Sequence, residues 1–158
     1  MRRKLKPYII SIAISLVVGI LSALLTKDSM DVYQIINKPP LNPPMILFPV
    51  VWTILFVLMG ISSAIVYKKR QANKTEAYGA LRIYGIQLVV NFFWSIIFFN
   101  MKAYLFAFIW LLLLWGLIIT MIIKFKKIDL LAAYLQIPYF FWVTFAGYLN
   151  IMIYILNK

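Results

Sequence analysis

Cysteine and histidine are both absent from the 158-residue chain, and only four of its residues are acidic. Without cysteine there are no disulfides, no thiolate nucleophile and no cysteine metal site. Without histidine the commonest metal ligand and the usual general base near neutral pH are gone. The scarce carboxylates are Asp28, Asp31, Glu76 and Asp129. None falls inside an apolar run, which excludes paired-carboxylate and metal-assisted hydrolysis. It also argues against an ion-coupled carrier or a multidrug-type exporter, which usually need a carboxylate or charged pair at membrane depth.

What is abundant is apolar surface: 65% of the residues are hydrophobic and 17% aromatic. Charge-free runs extend over Pro7–Thr26, Pro39–Tyr67, Ile83–Met101, Ala103–Ile123 and Leu130–Asn157. A helix of roughly 20 apolar residues crosses a bilayer core. The runs are continuous, unlike the short alternating strands of a membrane barrel. The sequence therefore predicts an all-α integral membrane protein. A single domain, residues 1–158, holds five spans at about 7–26, 45–67, 81–100, 103–123 and 130–156.

Sixteen basic residues give a net charge of +12. They stand at the ends of spans, a pattern that belongs to membrane topology and excludes nucleic acid as the partner. Twelve fall before the first span, between the second and third, and after the fourth. The other four are Lys27, Lys38, Lys102 and Lys158. The positive-inside rule then puts the N-terminus in the cytoplasm and the C-terminus outside. Arg2-Arg3-Lys4 before an apolar run is also reminiscent of a signal peptide. The apolar stretch is too long, however, and no small-residue cleavage site follows. With no transit-peptide pattern ahead of that span, the expected location is the bacterial cytoplasmic membrane.

Pro7 suits the first turn of the first span. Ser11, Ser15, Gly19 and Ala23 recur every four residues along it, a small-residue stripe for close helix packing within the bundle or between copies. The eighteen residues Lys27–Pro44 form a long first loop. They end in Lys38-Pro39-Pro40-Leu41-Asn42-Pro43-Pro44, a stiff, non-helical stretch. It reads as a lid over a cavity or as an extended connector. Pro138, inside the fifth span, deprives the Tyr134 carbonyl of its helical donor and predicts a kink. The fourth span, with few polar residues, reads as lipid-facing or structural.

Gln87, Asn91 and Ser95 share one face of the third span, with Trp94 beside them. On the fifth, Trp142, Phe145, Ala146 and Leu149 share a face flanked by Asn150; on the second, Trp52 and Phe56 are one turn apart. Aromatic rings beside a few amides suit a cavity for a large, flat, mostly apolar ligand. Aromatic belts at the membrane interface and amides gluing helices together fit the same residues.

These residues carry a resemblance to the translocator protein family, which includes the bacterial TspO tryptophan-rich sensory proteins and the mitochondrial peripheral-type benzodiazepine receptor. One block is Tyr33, Lys38-Pro39 and Pro43-Pro44, running into Phe48-Pro49-Val50-Val51-Trp52-Thr53 and Met59-Gly60. A second is Gln87-Leu88, Asn91-Phe92 and Trp94-Ser95, then Phe98-Phe99. The third runs from Ile137-Pro138-Tyr139 through Trp142 and Phe145-Ala146 to Tyr148-Leu149-Asn150. One position departs from the pattern: Leu41 stands where the family usually has a loop tryptophan.

The resemblance implies a pocket inside the helix bundle lined by Tyr33, Pro43, Trp52, Phe56, Asn91, Trp94, Trp142, Phe145 and Ala146. It implies binding of porphyrins, chiefly protoporphyrin IX, and of benzodiazepine-type drugs. It also implies homodimers and, in bacterial members, light-dependent porphyrin degradation, for which Trp52 and Trp142 are the catalytic candidates. A non-catalytic transporter or sensor of tetrapyrroles, lipids or sterols is the alternative. The family's sterol pattern is met by Leu149, Tyr154 and Lys158, although so loose a pattern arises easily by chance. No cofactor and no metal are required, with protoporphyrin IX as ligand or substrate. The lack of histidine and cysteine leaves no strong axial ligand for haem iron, so a metal-free porphyrin held by stacking suits the residues. Its anionic propionates would meet Lys38 near the lid.

Overall fold

The computed structural model describes residues 2–158, and the side chain of Arg2 lies outside the description. A backbone in lipid must satisfy its own polar groups, and this chain does so with helices alone; no strand occurs among the described residues. Five stretches are long and apolar enough to cross a membrane: Arg3–Ile35, Leu47–Lys68, Lys74–Asn100, Tyr104–Lys126 and Leu130–Asn157.

Helix α1, Arg2–Thr26, starts earlier than the apolar run, so Pro7 lies inside it instead of in its first turn. The basic N-terminal residues are good helix formers and extend it, at the cost of the one amide bond that Pro7 cannot make. The expected long loop is only half a loop. Its first part continues as a 3₁₀ turn, Lys27–Ser29, and helix α2, Met30–Ile35; the proline-rich remainder leads to α3, Leu47–Lys68.

Helix α4, Lys74–Ser95, also starts before its apolar run, because Asn73 caps it by accepting the Glu76 amide at 3.1 Å. It closes in a π turn, Ile96–Asn100. Helix α5 spans Tyr104–Lys126. The fifth span is broken outright into α6, Leu130–Leu135, and α7, Ile137–Asn157. Pro138 falls in the first turn of α7, and Gln136 between the two helices bonds back to the Ala133 carbonyl at 3.1 Å. The kink predicted from Pro138 is thus a restart, the position proline tolerates best.

Helix α1 packs on α3, α4 on α5, α5 on α7, and α3 on α6. The α1–α3 seam explains the small-residue stripe. Ser15 Oγ, fully buried, donates to the Phe56 carbonyl at 2.6 Å. A Cβ added at Gly19 would sit 2.7 Å from the Phe56 ring, and one at Gly60 would sit 2.5 Å from the Ile12 Cα. These two glycines are needed for close approach. The stripe thus serves packing within the bundle and the wall of the cavity described below. Helix α5 buries Ala107, Leu111, Leu114, Ile118, Met121 and Phe125 along one face and is a structural buttress.

Candidate ligand cavity

A cavity of about 430 Å³ opens inside the bundle, walled by α1, α2, α3, α4 with its π turn, and α7. Helix α5 contributes nothing to it. From α1 come Gly19, Ala23 and Thr26, and from the following turn Lys27. Tyr33 comes from α2, and Trp52 and Phe56 from α3. Asn91, Trp94 and Phe98 come from α4 and its turn, and Trp142, Phe145, Ala146 and Asn150 from α7. Eight of the nine residues expected at the pocket therefore line one cavity: Tyr33, Trp52, Phe56, Asn91, Trp94, Trp142, Phe145 and Ala146. Pro43 is the exception and stands outside the lining. The proline-rich segment reaches the cavity only through Met45, which precedes Phe48 and Pro49 of α3.

The aromatic wall is preassembled. Trp52 stacks on Phe56 with centroids 5.7 Å apart, and Trp94 stacks on Phe98 at 5.3 Å. Trp142 lies between Phe48 at 5.9 Å and Phe145 at 5.7 Å, and Tyr33 meets Phe99 edge-on at 5.5 Å. Such pairs contribute about 0.5–1.5 kcal/mol each beyond burial and fix the ring planes.

The amides are fixed by relays. Asn91 Nδ2 donates to the Tyr139 hydroxyl at 2.7 Å, and that hydroxyl donates to Gln87 Oε1 at 2.7 Å. Trp94 Nε1 donates to Asn150 Oδ1 at 3.1 Å, and Asn150 Nδ2 donates to the Tyr104 carbonyl at 2.8 Å. The first relay joins α4 to α7, and the second runs from α4 through α7 to the start of α5. Trp142 Nε1, by contrast, is buried without a partner. An unmatched indole donor in an apolar surround costs roughly 1–3 kcal/mol and favours any acceptor brought to it.

The rim corrects the expected role of Lys38. Its ammonium turns back onto the carbonyls of Gln34, 2.9 Å away, and Ile36, capping the short α2 and lying over the Tyr33 ring. The cation on the cavity wall is Lys27. Sequence reasoning counted it only among the charges at span ends. The signal was its place one residue past the first span.

The proline segment is tied down onto α7. The Tyr148 hydroxyl donates to the Pro40 carbonyl at 2.9 Å, and Asn37 and Asn157 exchange two bonds at 2.9 and 2.7 Å. Leu41, with φ of 71°, is 79% exposed and stands off the cavity. The residue at the position of the family's usual loop tryptophan is thus no part of the cavity lining. Among the described residues no cluster of acidic side chains could hold a metal ion.

The profile of the TspO/MBR family matches residues 11–156. The chain belongs to that family. It is 36% identical to the Tryptophan-rich protein TspO of Chlorobaculum tepidum, over 99% of each chain. It is also 36% identical to the protein CrtK of Rhodobacter capsulatus, over 79% of this chain and 78% of that one. Similarity extends to animals: the translocator protein of Ovis aries is 32% identical over 75% of this chain and 70% of its own. As a TspO/MBR member with five membrane-crossing stretches, the chain is a multi-pass membrane protein.

Proposed function

We propose that this TspO/MBR protein binds a flat, largely apolar porphyrin, protoporphyrin IX foremost, in the cavity between α1, α3, α4 and α7. The observation that carries the reading is the wall itself: three tryptophans and five phenylalanines around about 430 Å³, with one ammonium, Lys27, and no carboxylate in the lining. Macrocycle faces stack on such rings, and each ring contributes about 0.5–1.5 kcal/mol. Propionates at the macrocycle edge match Lys27. The unpartnered Trp142 indole N–H offers a further donor. Benzodiazepine-type molecules are flat and apolar enough for the same site.

On this reading the bound, light-excited porphyrin generates oxidising species, with dioxygen as the oxidant, and Trp52 and Trp142 are the adjacent redox-active rings. A second reading, a carrier or sensor of tetrapyrroles or lipids without catalysis, fits equally well the lack of any carboxylate in the cavity lining. In both, the chain resides in the bacterial cytoplasmic membrane as a homodimer, its N-terminus inside.

The test is a dark titration of the detergent-solubilised protein with protoporphyrin IX, followed by illumination of the same sample. Saturable tryptophan quenching is expected, then conversion of the porphyrin to a new absorption band faster than in free porphyrin. Trp52→Phe combined with Trp142→Phe keeps aromatic stacking, so dark affinity should survive while light-driven conversion falls about tenfold or more. Undiminished conversion in that variant removes the tryptophans from the mechanism. Saturable quenching with bleaching no faster than free porphyrin leaves the carrier or sensor. No saturable quenching at all defeats the porphyrin reading.

A further inference from the structure

We propose that a second site, on the strongly basic face of the bundle, holds the phosphate of an anionic phospholipid headgroup. It is a cleft of about 630 Å³ between the start of α4 and the end of α5, lined by Lys74, Arg82, Lys124 and Lys127 together with Glu76, Tyr78 and Gly79. Four cations face one carboxylate there. None of the four pairs with an acid, for the sole ion pair among the described residues joins Lys69 to Asp129.

The cleft follows from helix geometry. Lys74, Tyr78 and Arg82 recur every four residues on α4, Lys124 lies in the last turn of α5, and Lys127 directly follows that helix. The two helices run antiparallel, so the first turns of one meet the last turns of the other. Gly79 leaves the middle open: a Cβ there would meet nothing within 4 Å. An uncompensated cation group beside an open volume matches a phosphate, and the guanidinium of Arg82 can take two of its oxygens at once.

A lipid is the source that the surroundings favour over free phosphate. The helix face carrying Arg82 continues away from the cleft as Ile86, Val89 and Phe93, spaced four, three and four residues apart. They are 44%, 56% and 44% exposed. That apolar stripe gives an acyl chain a track directly continuous with the headgroup site. Basic pockets between membrane helices are a recognised headgroup geometry.

The test uses the full chain in neutral detergent and native mass spectrometry, with dioctanoyl phosphatidylglycerol, dioctanoyl phosphatidylcholine and inorganic phosphate as probes. The protein should retain phosphatidylglycerol in preference to phosphatidylcholine. Arg82→Gln with Lys124→Gln should weaken phosphatidylglycerol about tenfold and leave phosphatidylcholine unchanged. Gly79→Leu, which keeps every charge and fills the cleft, should do the same. Lys102→Gln with Lys158→Gln removes equal charge elsewhere and should change nothing. Equal losses in that control pair, or full retention in Gly79→Leu, would reduce the effect to a diffuse basic surface and overturn the site. Saturable inorganic phosphate without preference between the two lipids would overturn the assignment to lipid.

Discussion

At Gly60 one hydrogen atom decides whether α1 and α3 can touch. A Cβ there would come within 2.5 Å of the Ile12 Cα and 2.7 Å of its amide nitrogen, and backbone cannot rotate away as a side chain can. Gly60→Ala should therefore cost about 1–3 kcal/mol, with the thermal midpoint in detergent falling accordingly. Gly79→Ala is the matched control, since open space surrounds that helical position; it should be neutral or gain up to about 1 kcal/mol from helix propensity. Equal midpoints for wild type and Gly60→Ala would show that the seam has slack. The stripe through Ser15 and Gly19 was legible as small residues four apart, and the partner α3 was not, because periodicity names a face without naming what covers it. The same limit holds at the cavity. Asn91 and Trp94 stood out as polar and aromatic residues in a span, whereas their ties to Tyr139 and Asn150 depend on how α4 meets α7. The expectation for Lys38 went astray for a related reason. Where a loop side chain points is set by single backbone angles, such as the φ of 71° at Leu41.

The fifth span shows what an element owes to its first residues. Asp129 accepts the Ala132 amide at 3.0 Å, capping α6, and its carboxylate pairs with the ammonium of Lys69 just beyond α3. That hydrogen bond from Lys69 is the main reason the carboxyl is held below its ordinary value of 3.8, with the Ala132 amide adding to it against partial desolvation. A carboxyl whose pKa is depressed by folding contributes stability that is complete above its unfolded value. The contribution is lost as pH falls through the folded one. Lowering the pH from about 5 through 3.8 and below should thus progressively remove it. The Lys69 side chain is 52% exposed, so the pair contributes at most about 1 kcal/mol. Asp129→Asn keeps a capping oxygen and should lose only the acid-sensitive part; Asp129→Ala should lose about 1 kcal/mol more. Identical melting for Asn and Ala would mean that the cap contributes nothing to α6. Pro138 made an interruption of this span legible, while the complete break at Gln136 needed the packing of α6 on α3, where Ser62 Oγ donates to the Ala132 carbonyl at 2.6 Å.

The proposed orientation of the whole molecule rests on the charge map and depends on no single contact. Twelve of sixteen basic residues lie on the face that holds the N-terminus, the α3–α4 turn and the α5–α6 turn. The few on the other face include Lys102, between α4 and α5, and Lys158. Each arginine or lysine near a span end contributes about 1 kcal/mol of attraction to an anionic cytoplasmic leaflet, and a surplus of eight is what supports the proposed orientation. The chain is suited to a direct measurement because it has no cysteine to remove. Single cysteines replacing Lys74, Lys126, Lys102 and Lys158 would each report one end of a span. A membrane-impermeant maleimide applied to intact expressing cells should label Lys102→Cys and Lys158→Cys, and should label Lys74→Cys and Lys126→Cys only after permeabilisation. The reverse pattern would invert the orientation, placing the cavity rim at Lys27 on the cytoplasmic side. It would also put the basic cleft at the outer leaflet, away from the potential that attracts it. Labelling of all four in intact cells would mean both orientations are inserted, so that the charge surplus fails to choose between them.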